Sequence, residues 1–319
     1  MKTLWLLVGL GILLPSTLIA CYLISVNLGH VPAEFPYISD TGNFVPESCI
    51  FGQMLNMSAV LFGMIVVVRH VQLKHLIEDG QLAPPCSDFD IARVINTTLL
   101  VAGLTAALGV SVVANFQLSS VPVVHGIGAL MAFGPPTLYF LLESIMFSFK
   151  ITSIGYCPFW IAISRVLITF SYMLVGAIFI IFQFLHRVHD GTIILGESVE
   201  EFLAVRHWIR EEGEENKWHF FITTTATEWV LAILILLFLL SFIPEFNRFE
   251  FSGPFIIVCQ HKKRHSSSGK TVSLESELSI ADISMQVEHP GLIIEASSVD
   301  GAEHEQNHTK NSEIEVMPE

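Results

Sequence analysis

Charge is what this sequence has least of. Only 14% of its 319 residues are Asp, Glu, Lys or Arg, about half the roughly 25% of an ordinary soluble domain. With 52% hydrophobic residues and a mean hydropathy of +0.59, too little charge is left to cover a soluble globule. Cysteine is scarce as well. Five cysteines, an odd number, exclude a disulfide framework. There is no Cys-x-x-Cys pair and no Gly-rich phosphate loop. Basic residues are the minority, 16 against 30 acids for a net charge of −14, which excludes a nucleic-acid-binding surface. His261 and His265 are four apart, but Lys262, Lys263 and Arg264 lie between them and disfavour a bound cation. No catalytic, cofactor-binding or metal-binding set emerges. The composition is that of an integral membrane protein.

A bilayer core about 30 Å thick is crossed by roughly 20 apolar residues in a helix. Six stretches qualify: about 4–26, 50–68, 95–116, 121–147, 159–184 and 220–243. The expected fold is therefore all-α and polytopic. A six-helix transmembrane domain fills 1–250, and a tail at 251–319 is disordered from about 266. Leu18-Ile19-Ala20-Cys21 has the form of a bacterial lipoprotein cleavage box. The apolar run around it is too long for a signal peptide, so a retained first helix is expected. Pro135-Pro136 in the fourth span predicts a kink.

Loop charge gives the orientation. With the N-terminus cytosolic, twelve Lys and Arg fall on the cytosolic side and four on the other. The first outer loop, 27–49, has neither Lys nor Arg. Both termini are expected in the cytosol. No Asn-x-Ser/Thr acceptor lies in an outer loop, so no N-glycan is expected. Cys49 is the one cysteine expected near the outer face, and no intrachain disulfide is expected. The tail from 266 has ten serines, eleven acids, two lysines and no aromatic residue, a composition that cannot offset its ordering entropy. Within it, Glu288, Leu292 and Ile293 have the spacing of an acidic dileucine sorting signal.

The first outer loop carries turn chemistry: Pro36, Tyr37, Ser39, Asp40, Thr41 and Gly42 combine short oxygen-bearing side chains with a glycine. Pro46, Glu47 and Ser48 then read as a helix start with an acid in its first turn. The loop is either a structured cap or a ligand site formed by Asp40 and Glu47. Four ionisable residues fall inside spans, where each is costly and faces the bundle interior. By depth, His125 is level with Glu228 near the outer surface, and Glu143 is level with Arg165 near the inner one. The two pairs are either polar links between helices or parts of a proton or ion path.

The ordered set Pro36-Tyr37-Ile38-Ser39-Asp40-Thr41-Gly42, Pro46-Glu47-Ser48, Phe51-Gly52, Val113-Ala114-Asn115-Phe116-Gln117, Val121-Pro122-Val123-Val124-His125, Gly128-Ala129, Arg165 and Glu228-Trp229 resembles the DNA-damage-regulated autophagy modulator (DRAM) family over about residues 1–250. The resemblance implies a six-span, non-enzymatic protein of lysosomal or late endosomal membranes that promotes or modulates autophagy. It would act as a scaffold, with the bilayer and, through the tail, autophagy or lysosomal trafficking proteins as partners. It implies no catalytic residues. Some relatives work at the plasma membrane with phosphoinositide kinases, and they tend to have a longer, cysteine-bearing first loop. A plasma-membrane scaffold is therefore one alternative. A small-solute, lipid or proton transporter using His125, Glu228 and the fourth span is another. The chain departs from the family pattern in its long acidic loop at about 185–219, in Glu143, where a neutral amide is usual, and in its long tail.

Overall fold

The computed structural model describes residues 3–82, 89–189, 215–252 and 255–258. All belong to one compact unit, Met1–Lys263. The expected tail disorder and the Glu288, Leu292 and Ile293 motif lie outside the described residues, as does most of the long acidic loop.

The main helices are α1 (Leu4–Asn27), α2 (Glu47–Glu78), α3 (Phe89–Asn115), α4 (Pro122–Leu142), α5 (Phe149–Ser153), α6 (Phe159–His189), α7 (Glu215–Leu240) and α8 (Ile243–Phe246). A single π-helical turn, Glu143–Ser148, joins α4 to α5. Among the described residues, six helical stretches are long and apolar enough to cross a membrane, as the sequence leads one to expect. The protein is an all-α, multi-pass membrane protein. One short antiparallel ribbon follows the bundle, Phe249–Ser252 (β1) against Phe255–Val258 (β2), with Phe249 opposite Val258. The expected domain boundary at 250 falls inside it.

The helices follow from the sequence locally. Pro122 sits in the first turn of α4, where a missing N–H costs nothing. Pro15 lies inside α1. Just beyond it the hydroxyls of Ser16 and Thr17 donate to the carbonyls of Ile12 and Leu13 at 2.7 Å each. Pro135 and Pro136 both lie inside α4, which is continuous through them. Tyr172 of α6 donates to the nearby Phe133 carbonyl at 2.6 Å. The departure from α-geometry comes later, at the π turn. Such turns occur often at functional sites.

Small residues set the α3–α4 crossing. A Cβ on Gly109 would stand 2.4 Å from the Ala132 nitrogen and 2.7 Å from the Gly128 oxygen, so these backbones approach as closely as glycine allows. This is the packing expected where lipid supplies no hydrophobic drive between helices. Aromatic rings fill the centre of the bundle. Phe140 stacks on Phe238 with centroids 3.9 Å apart, and Tyr172 meets Phe140 edge-on at 5.0 Å. On α6, Ile163, Leu167, Phe170 and Leu174 are exposed. Their spacing of three and four residues makes one apolar face for lipid.

Candidate functional site

The bundle has two polar layers, one at each end. The end that carries the 28–46 loop is here called the loop end. The other, where Thr3 lies, is the N-terminal end.

At the loop end, the turn residues fold over the helix mouths. Asp40–Gly42 forms one 3-10 turn, and the Thr41 hydroxyl donates to the Ile38 carbonyl at 2.7 Å. The turn is held from several sides. The Trp229 indole N–H donates to the Pro36 carbonyl at 2.9 Å, and the Ile38 N–H donates to Glu228 Oε2 at 2.9 Å. The Tyr37 hydroxyl donates to Gln183 Oε1 at 3.0 Å. Asn43 Oδ1 accepts from the Ser119 N–H and hydroxyl at 3.1 and 2.7 Å. Gly42 lies against the ring of Phe51, where a Cβ would come within 2.3 Å. Glu47 is fully buried at the start of α2, its Oε1 2.5 Å from His30 Nδ1. Ser48 is buried beside it, and the Ser48 N–H donates to the Phe44 carbonyl at 2.7 Å. The signature residues of this loop therefore join α1, α2, α6 and α7. Cys21 belongs to this end too, its Sγ 3.8 Å from the Glu47 carbonyl, so Cys49 is not the only cysteine there. Cys21, Cys49 and Cys157 are all free thiols.

His125 and Glu228 both line a cavity of about 100 Å³ beneath this cap. His125 Nδ1 lies 2.7 Å from the Phe116 carbonyl, and Glu228 takes the Ile38 N–H. Each meets a backbone group at hydrogen-bonding distance, Glu228 in the 28–46 loop and His125 just after α3.

At the N-terminal end lies a buried ion network. Arg69 of α2 binds Glu143 through both Nε, at 3.1 Å, and Nη2. Arg165 of α6 binds Glu245 at 2.7 Å and Ser241 through its hydroxyl and carbonyl, each at 2.8 Å. Arg69 Nη2 is also 3.9 Å from Glu245, so the two pairs form one neutral group of four. All four residues are at most 1% exposed. The guanidinium carbons of Arg69 and Arg165 lie 4.6 and 4.7 Å from the Phe242 ring centre, within cation–π range. The expected Glu143–Arg165 contact is thus replaced by two others. The π turn begins at Glu143 and directs its carboxylate to α2, while α8 folds back to bring Glu245 to α6. Arg69 and Glu245 were missed as intramembrane ions. The available signal was an acid set among aromatics, Phe242-Ile243-Pro244-Glu245-Phe246, and an arginine three residues from Gln72 in an unbroken helix.

Chemically, the N-terminal layer is closed. Every ion has an opposite charge in contact, and Phe242 fills the space beside the arginines. The loop-end layer is open inward onto an apolar cavity. Among the described residues, no group of three or more His, Cys, Asp or Glu is placed to hold a metal.

Residues 3–249 match the family description Frag1/DRAM/Sfk1/Cwh43P N-terminal domain. DNA damage-regulated autophagy modulator protein 2 of Homo sapiens is 30% identical over 234 residues, 73% of this chain and 80% of its own length. DNA damage-regulated autophagy modulator protein 1 of Homo sapiens is 32% identical over 232 residues, 73% of this chain and 86% of its own. Modulator of macroautophagy TMEM150B of Danio rerio is 36% identical over 133 residues, 41% of this chain and 52% of its own. No solved structure matches the chain significantly.

Proposed function

The chain belongs to the Frag1/DRAM/Sfk1/Cwh43P family, and on that premise we propose that it modulates autophagy as a non-enzymatic scaffold in lysosomal or late endosomal membranes. The observation that carries the reading is the extent of the likeness. Two relatives named as autophagy modulators match across 73% of this chain, a stretch that takes in most of the six-span body. Their names are those of modulators, not of enzymes. The geometry supports a fixed frame: the loop residues tie four helices together, and the four-ion network locks the N-terminal end. A transporter would have to open a way past Arg69, Glu143, Arg165 and Glu245, and nothing in their contacts favours that over a lock.

In this reading both termini face the cytosol, and the tail is the part that partners of the autophagy or trafficking machinery meet. Three measurements test it. Cells lacking the protein should show reduced autophagic flux, restored by the full chain. The tagged protein should co-localise with lysosomal markers, and Leu292→Ala with Ile293→Ala should raise its surface fraction. Proximity labelling from the C-terminus should recover cytosolic trafficking proteins. Unchanged flux on deletion would reject the autophagy role, and steady residence at the cell surface would favour a plasma-membrane scaffold.

A further inference from the structure

At the N-terminal end, Arg69 and Arg165 are matched within the ion network, Lys74 Nζ lies 3.9 Å from Glu78, and Arg93 Nη1 lies 3.5 Å from Asp90. One group of cations stands outside this balance. Between Glu250 and Glu275 the chain has four, Lys262, Lys263, Arg264 and Lys270, and no acid. Orientation by loop charge asks only that cations be near the surface. It does not ask that acids be kept away from them. The four lie outside the described residues, so the argument for their surroundings starts from what precedes them.

The chain that leads to them leaves the bundle at the membrane surface. The Phe246 carbonyl, at the end of α8, accepts from the hydroxyl of Thr3, the residue before α1. Trp5 and Trp160, near the starts of α1 and α6, are 65% and 67% exposed, as in the aromatic belt where lipid meets water. The Arg248 guanidinium carbon lies 5.3 Å from the centre of the Tyr156 ring, in the link between α5 and α6. The β1–β2 ribbon starts at the next residue. Six of its eight residues are large and apolar, Phe249, Phe251, Phe255, Ile256, Ile257 and Val258. The registered pairs Phe249–Val258 and Phe251–Ile256 are apolar on both strands. A lone two-stranded ribbon is marginal in water and gains from an apolar surface, which the bilayer offers at this level. Lys262 follows Val258 by four residues, a reach of at most about 14 Å. The cations are thereby kept near lipid head groups, where each is worth about fivefold in binding to an anionic leaflet.

Ser266, Ser267 and Ser268 follow the cluster directly. Cations just before a serine are a charge pattern that kinases select. Each phosphate carries a charge of about −1.5 to −2, so two of them roughly cancel the four cations. We propose that residues 249–270 form a reversible anchor for anionic phospholipid. The ribbon lies on the leaflet, the four cations gather phosphatidylserine-type head groups around it, and phosphate on Ser266–Ser268 releases them. The cytosolic placement of this anchor rests on the topology proposed above. The binding itself does not, and vesicles with the same lipids in both leaflets read it directly.

The test uses the full-length protein with Cys49 and Cys86 replaced by serine. Cys259, next to the ribbon, then takes an environment-sensitive fluorophore, while Cys21 and Cys157 are buried. In vesicles of phosphatidylcholine and phosphatidylserine, nitroxide-bearing phosphatidylserine should quench the probe about fivefold more than nitroxide-bearing phosphatidylcholine at the same mole fraction. Raising the salt to about 1 M shortens the screening length to about 3 Å and should abolish the preference. Lys262→Gln, Lys263→Gln and Arg264→Gln together should abolish it too. So should Ser266→Glu, Ser267→Glu and Ser268→Glu together, whereas the three changes to alanine should leave it intact. Gel filtration confirms that each variant is folded, and if one is not, the salt series on the unaltered tail decides. Equal quenching by the two lipids would overturn the proposal, as would a preference that survives high salt or the glutamine changes. A preference that survives the three glutamates would overturn release by phosphate. A preference seen only after removal of residues 275–319 would overturn the anchor, because this chain's own acids would then be the partner of the cluster.

Discussion

Removing Glu143 should destabilise this protein more than any surface change, and removing Arg69 with it should restore part of the loss. Glu143 is fully buried and accepts from both Nε and Nη2 of Arg69. In Glu143→Leu, Arg69 keeps only Gln72 Oε1 at 3.4 Å and Glu245 at 3.9 Å. The four-ion group, neutral before, then holds one uncompensated positive charge. Breaking a buried pair in this way costs about 3–5 kcal/mol, a large part of a total stability of about 5–15 kcal/mol. Arg69→Met alone leaves the opposite defect, a surplus carboxylate. The double variant returns the group to neutrality, so its loss should fall short of the summed single losses by about 2 kcal/mol or more. Unfolding of the purified protein in mixed micelles of increasing denaturing detergent, followed by Trp fluorescence, gives the four free energies of the cycle. Arg165 with Glu245, in contact at 2.7 Å, should behave alike, and both couplings should exceed that of Glu143 with Arg165. Losses for Arg69 and Glu143 that add within about 0.5 kcal/mol, the behaviour of independent sites, would refute the network.

Gly42→Ala places a methyl group 2.3 Å from the Phe51 ring and should cost about 1–3 kcal/mol in the same unfolding assay; Gly126→Ala, with nothing within 4 Å, is the control and should cost nothing. Trp229→Phe removes the donor to the Pro36 carbonyl and should cost about 1 kcal/mol, with faster proteolysis of the 28–46 loop; unchanged cleavage would show that the bond does not hold the loop. With Cys86 and Cys259 replaced by serine, a maleimide should label exposed Cys49 in the folded protein and spare Cys21 and Cys157. Burial pushes the Cys157 thiol above its usual range, with the Glu245 charge adding to it, so the protonated, unreactive form persists to higher pH than in a free cysteine. Alkylation of Cys157 at the rate of a free thiol near pH 8.5 would contradict this.

The six spans were legible because a long apolar run has few other folds available to it. Their ends were less so. The second span was read as 50–68 but the helix continues to Glu78, a 32-residue element about 48 Å long. Arg69, assigned from sequence to a loop, therefore lies within it. Depth along a span follows from counting, and it placed His125 and Glu228 on one cavity and Glu143 and Arg165 in one layer. Partner choice depends on helix rotation, and here rotation is set by a π turn and by a four-residue helix that no periodicity announces. The signature loop was legible as turn chemistry, while its contacts with Gln183, Ser119 and Trp229 join residues far apart in the chain, which local pattern does not encode.

The return of α8 beneath the bundle bears on how the chain is made. Arg69 and Glu143 enter the membrane early, and Arg165 follows. Glu245 arrives last, in the same turn whose Phe246 carbonyl accepts from the Thr3 hydroxyl at 3.0 Å. Until that turn is synthesised, the nascent bundle carries two guanidinium groups and one carboxylate, an unmatched cation at a depth where cations are costly. A ribosome that stops before residue 245 therefore leaves a product recognisable as incomplete by its charge alone. The final turn completes the neutral group and closes the first helix onto the last, so charge balance and closure of the bundle are reached at the same residues.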